Sequence, residues 1–256
     1  MDAAPLILVL LALFGLAGGI GITAVGPGGV LPTIGMFLLT GLSPAGVAGT
    51  AIATHIATGA LGTAAYTRSG QLRDRATRRV AAVLAAGAVA GTPVGVLCNT
   101  LVSGREFGVL LAVAVSVTGI LVWARERRTA GRPEGSPVRL STVTAGAVGL
   151  VVAVAAGLFG LGGPMLSVPL LVICGLPVLP ALAAAQAQSV VIAGIGTAGY
   201  LLHGSVDWRL AALVGIPELA GVIIGWRIAH AVPERRLKYA LAVTLLALAP
   251  YLALHG

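Results

Sequence analysis

The chain has 256 residues, 57% of them hydrophobic and only 9% charged, and its mean hydropathy is +1.01. A soluble domain needs roughly 25% charged residues to cover its surface, so the composition excludes a water-bathed globule and makes lipid the solvent. The net charge of +8 does not mark a nucleic-acid binder: the basic residues sit between apolar runs and lack interleaved aromatics, which is the pattern of cytoplasmic membrane loops.

In chain order, apolar segments near 4–25, 44–66, 80–102, 106–124, 140–162, 178–202, 209–231 and 237–255 are each long enough to cross about 30 Å of hydrocarbon. Two shorter apolar pieces, 28–42 and 164–177, follow the first long segment of each half. Barrel strands would alternate apolar and polar residues, whereas these runs are continuously apolar. The predicted fold is an all-α polytopic membrane protein with eight long transmembrane helices and two short broken segments. Asp2, with no Lys or Arg before the first run, is unlike the positive start of a cleaved signal peptide. Residues 125–139, rich in Arg, Gly and Pro, read as a cytoplasmic linker between a first repeat (1–124) and a second (140–256).

Residues 28–91 and 162–225 follow one pattern. At a constant offset of 134, sixteen of the sixty-four pairs are identical. Gly62-Thr63-Ala64, Tyr66 and Gly70 recur as Gly196-Thr197-Ala198, Tyr200 and Gly204. A duplicated apolar chain with glycine breaks at matching places points to a secondary transporter with substrate held where the halves meet. The connection 68–79 carries Arg68, Arg73, Arg75, Arg78 and Arg79, but its counterpart carries only Arg209 with Asp207. In the second half the positive charge moves to 227–238. Opposite bias in two copies predicts inverted repeats, with 28–42 and 164–177 counted as crossings; if those pieces dip and return, the copies are parallel.

Gly26-Pro27-Gly28-Gly29 and Gly160-Leu161-Gly162-Gly163-Pro164 interrupt the helix ladder. A helix starting after such glycines presents free N–H groups and a positive dipole end, which suits a small anion. Gly28, Gly29, Gly162 and Gly163 are therefore expected at the substrate. The next helix of each half offers neutral donors: Thr50 and Thr54, one turn apart with Thr58, and Gln186, Gln188 and Ser189. Helix–helix hydrogen bonding is the alternative role for each of these. His55 and Glu218 are the ionisable groups expected deep in the membrane, where such residues are functional candidates: His55 as anion donor or proton relay, Glu218 as carrier of a proton or coupling cation. The glycine ladder Gly87, Gly91, Gly95, echoed by Gly221 and Gly225, reads as a close-packing face between halves or between the protomers of a homodimer. Cys98 and Cys174 lack metal-ligand or disulfide spacing. No cofactor, metal cluster or catalytic constellation is expected, which disfavours an intramembrane enzyme; a channel is the other rival class.

These residues resemble the TauE/SafE sulfite exporter family of membrane permeases. Gly160-Leu161-Gly162-Gly163-Pro164-Met165-Leu166-Ser167-Val168-Pro169 is similar to that family's glycine-rich run ending in Val-Pro, and Gly26-Pro27-Gly28-Gly29-Val30-Leu31-Pro32 is a looser copy. Gly49-Thr50 and Gly204-Ser205-Val206-Asp207-Trp208 match two further family positions. Pro27, and Ala184-Ala185-Gln186 where Thr-Ser is common, depart from it. The resemblance implies export of sulfite, a sulfonate or a related anion, with a bacterial plasma membrane as the expected location; proton or sodium coupling would rest with Glu218.

Overall fold

The computed structural model describes residues 3–129 and 140–233, together with Arg236, Tyr239, Val243 and Leu246. The core of the predicted linker, 130–139, and most of the last apolar run, 237–255, lie outside the described residues. Nine α-helices are described: α1 (Ala3–Ala24), α2 (Val30–Leu39), α3 (Pro44–Arg68), α4 (Arg75–Asn99), α5 (Gly104–Thr129), α6 (Thr142–Phe159), α7 (Pro164–Ile173), α8 (Val178–Leu202) and α9 (Trp208–Ala231).

Short polar residues set where helices begin. Side chains of Ser43, Asp74, Ser141 and Asp207 accept backbone N–H groups in the first turns of α3, α4, α6 and α9, donors that would otherwise have no partner. Glycine sets where α1 and α6 stop. Gly26 (φ 110°) and Gly160 (φ 71°) take backbone conformations closed to most side chains, and they are one repeat offset apart. The chain then re-enters helix through a 3-10 turn at Pro27–Gly29 in the first half and directly at Pro164 in the second.

The same offset relates the helices themselves. Adding 134 to the bounds of α2 gives those of α7, and adding it to α3 gives α8. The Tyr66 hydroxyl donates to the carbonyl of Thr23, and the Tyr200 hydroxyl donates to that of Gly157, again positions 134 apart. The packing pairs correspond too: α1 lies on α9 as α6 lies on α4, α3 lies on α9 as α8 lies on α4, and α3 and α8 cross each other.

Five described helices are long and apolar enough to cross a membrane: Pro5–Ala24, Arg75–Asn99, Thr142–Phe159, Val178–Leu202 and Trp208–Ala231. α3 has the length of α8 but carries Thr50, Thr54, His55, Thr58, Thr63 and Thr67. Polarity is arranged for lipid. Leu6, Val9, Leu13, Val89, Val113, Val151, Ile216 and Ile223 are exposed, while His55, Glu218, Gln186, Gln188 and several threonines are buried. Apolar surface gains nothing by leaving lipid, so the helices adhere by close approach of small residues. A Cβ at Gly91 would lie 2.6 Å from the Leu150 carbonyl oxygen, at Gly95 2.1 Å from that of Val154, and at Gly225 2.3 Å from that of Ile20. The glycine ladders thus pack within the chain, α4 on α6 and α9 on α1. Phe107 of α5 joins the core between Phe37 and Phe159, with ring centroids 5.4 and 5.6 Å away.

Candidate functional site

His55 and Glu218 meet in the interior. Each has 0% of its surface exposed, and His55 Nδ1 lies 3.1 Å from Glu218 Oε1. The crossing of α3 with α9 brings them together. Glu218 follows Pro217 inside α9, and a proline there has no N–H to give the helix ladder. No hydrogen bond reaches either ring nitrogen or either carboxyl oxygen. A buried His–Glu contact with no further donors or acceptors is a poor source of stability. α1, on the other side of α9, has no titratable residue between Ala3 and Ala24.

Both glycine breaks approach the imidazole of His55. A Cβ at Gly29 would lie 2.8 Å from Ile22 Cδ1 and 3.5 Å from His55 Cε1; one at Gly162 would lie 2.9 Å from Ile22 Cδ1 and 3.5 Å from His55 Cγ. The Ile22 side chain and the imidazole therefore stand between the two breaks. Gly28 is packed on Gly21 of α1, where a Cβ would come within 2.3 Å of the Gly21 Cα. Gly163 sits at the start of α7, and its N–H donates to the Ser189 hydroxyl (3.2 Å). One of the amides expected to face a ligand is thus already occupied.

The other residues singled out from sequence are buried, and most are engaged in joining helices. Thr50 accepts the N–H of Asp207, tying α3 to the start of α9. Thr54 and Thr58 bond back to the carbonyls of Ala51 and Thr54 on their own helix. Gln188 donates to the Gly149 carbonyl and accepts from the Ser167 hydroxyl, linking α8 to α6 and α7. Gln186 donates to the carbonyl of Ile22 (3.1 Å), while its own carbonyl oxygen has no partner.

Sequence reasoning named His55 and Glu218 separately; it did not pair them, because 163 residues separate them and the counterpart of Glu218 is Leu84. It also missed Ile22. An isoleucine in an apolar run gives no signal; only its place beside Gly21, in the run that meets Gly28, hints at a position between the breaks. The buried hydroxyls of Thr92 and Thr197 also have no hydrogen-bond partner; Thr197 stood out in the sequence only as part of the repeated Gly-Thr-Ala.

No group of three or more His, Cys, Asp or Glu placed to hold a metal occurs among the described residues. The chain matches, over residues 11–252, the family model described as Sulfite exporter TauE/SafE. No curated protein and no solved structure matches it. With long apolar helices and a family match over nearly its full length, this is a multi-pass integral membrane transporter, not an enzyme, and it belongs to the TauE/SafE sulfite exporter family.

Proposed function

We propose that the protein is a secondary transporter that exports a small sulfur-containing oxyanion or organic anion, such as sulfite or a sulfonate, across a bacterial plasma membrane. Two inverted repeats alternate access to a site at their meeting point. The observation that carries this reading is the fully buried, otherwise unpartnered His55–Glu218 pair, whose imidazole stands between the glycine breaks of both halves. Protonated His55 is the anion's charged partner, flanked by Gly29 and Gly162, whose missing side chains leave room for close approach. Glu218 neutralises that histidine when the site is empty and takes up a proton when the anion arrives, so the buried charge stays small. Ile22 closes the space between the breaks, and its withdrawal opens the site. Gln186, with one amide oxygen unpartnered, lies on the second half's side of the same centre. Duplication is supported by helix bounds, positive-φ glycines and tyrosine hydrogen bonds that recur at one offset, and inversion by the reversed loop charges.

Purified protein in liposomes should move sulfite, thiosulfate or a sulfonate saturably, and His55→Ala should abolish the flux. Failure of sulfite, thiosulfate, sulfonates and carboxylates alike to move, in either direction and under either ion gradient, would discard the proposal. Orientation is tested separately. With Cys98 and Cys174 replaced, single cysteines at Arg68 and Leu202, both exposed and one offset apart, should label from opposite sides of the membrane. Labelling from one side would leave parallel repeats.

A second reading has one observation in its favour. A lone buried carboxylate, Glu218, is also what a cation-coupled uptake carrier for another small anion would use. Flux that requires an inward sodium gradient and is indifferent to pH would select that reading.

A further inference from the structure

Away from the central pair, a cleft of about 530 Å³ lies where the end of α3 and the turn Gln71–Arg73 meet α4 and α8. Its wall is apolar and built from small residues, Leu72, Ala82, Ala85 and Ala187, while Arg73 and Arg78 stand at its rim. Ala82 and Ala85 are one turn apart on α4, and seven residues of helix, roughly 10 Å, separate Arg78 from Ala85. The cleft therefore runs from a charged end at the first turn of α4 to an apolar end deeper along the bundle.

Arg73 and Arg78 are exposed, and their guanidiniums make no hydrogen bond or ion pair with another described residue. Arg68, Arg75 and Arg79 add to the positive field, with Asp74 as the one carboxylate between positions 68 and 79. Asp74 is engaged elsewhere: the backbone N–H and the hydroxyl of Thr77 both donate to it and hold its carboxyl below the usual range. The positions one repeat offset away from Arg73 and Arg78 are Asp207 and Ala212, so the charged rim belongs to one half only.

We propose that this cleft binds an anionic phospholipid, with its phosphate between the guanidiniums of Arg73 and Arg78 and an acyl chain laid along Leu72, Ala82, Ala85 and Ala187. Arginine pairs with phosphate through parallel N–H donors, and basic groups at a membrane end attract acidic headgroups. A free inorganic anion would find two guanidiniums in water and an apolar wall offering it nothing. A lipid satisfies both ends at once.

The full chain, purified in phosphatidylcholine nanodiscs, should be titrated with phosphatidylglycerol and bound lipid read by native mass spectrometry. R73Q/R78Q should weaken binding roughly 30-fold, from about fivefold per arginine near an acidic surface, with unchanged thermal unfolding in phosphatidylcholine. A85L, which fills the groove and keeps both arginines, should also weaken it. R68Q/R75Q removes the same charge from the same connection, off the cleft, and should leave binding as it was. Equal loss in R68Q/R75Q would reduce the site to a diffuse basic surface and overturn the proposal. So would equal retention of phosphatidylcholine, or displacement of the lipid by inorganic phosphate or sulfite, which would make the cleft a vestibule for free anions.

Discussion

α3 and α8 have the same length, start and stop one offset apart, and each bonds through a tyrosine hydroxyl to the end of a long helix, α1 or α6. Their interiors differ. His55 of α3 sits beside Gly29 and faces Glu218 of α9. The equivalent residue of α8, Ser189, binds Gly163 as a plain hydroxyl acceptor, and the residue equivalent to Glu218 is Leu84, itself wholly buried. The scaffold is doubled and the ionisable chemistry is not. Backbone geometry is held by glycine contacts and helix-end hydrogen bonds that tolerate two copies. A buried ionisable pair is costly in lipid, and among the described residues only one half's copy of these positions carries it.

The largest effect expected comes from giving α3 and α9 the residues of their counterparts. His55→Ser alone leaves Glu218 without its partner and should cost about 3–5 kcal/mol, measured by unfolding in detergent. The double variant His55→Ser with Glu218→Leu should recover most of that stability and remain without transport activity. A double variant as unstable as the single one would mean that the pair serves the fold, and the contrast between the halves would lose its functional meaning. Glu218→Gln alone, which keeps shape but cannot release a proton, should fold and should lose the pH-dependence of flux; unchanged pH-dependence would remove Glu218 from coupling.

A smaller effect tests the helix contact behind the pair. A Cβ at Gly19 would fall 2.0 Å from the carbonyl oxygen of Glu218, whereas at Gly194 of α8 it meets nothing within 4 Å. Gly19→Ala should push α1 off α9, cost about 1–3 kcal/mol and lower flux. Gly194→Ala should be neutral or add about 0.5–1 kcal/mol of thermal stability. Equal behaviour of the two would deny that α9 is held in place by close approach. The smallest effect concerns the shared scaffold: Tyr66→Phe and Tyr200→Phe should each cost about 1 kcal/mol and should match each other. A clear difference in melting would show that the two hydrogen bonds, alike in geometry, carry different loads.

Much of the fold was legible because its signals are local. Continuous apolar runs and the paired breaks at Gly26 and Gly160 lie within a few residues of the features they produce. The duplicated Tyr66 and Tyr200 were visible as letters, although their partners at Thr23 and Gly157 were not. The candidate site was legible only in parts. Thr50, Gln188 and Ser189 were expected to contact substrate, yet in the fold they hold helices together, since a hydroxyl or amide in an apolar helix has either use and sequence does not distinguish them. The glycine ladders at Gly87 and Gly221 had two readings, between halves or between protomers, and only packing assigned them to α6 and α1.

Composition and period by themselves determined that this chain lives in lipid, is helical and is built on two matching segments, because each follows from the transfer energy of side chains and from spacing along one strand of sequence. Tertiary structure alone decided that His55 meets Glu218 across 163 residues, that Ile22 stands between the glycine breaks, and that Gly163 already has a partner in Ser189. Those facts depend on which helices cross. In a membrane that choice rests on close approach of small residues distributed over many turns, which no single stretch of sequence records.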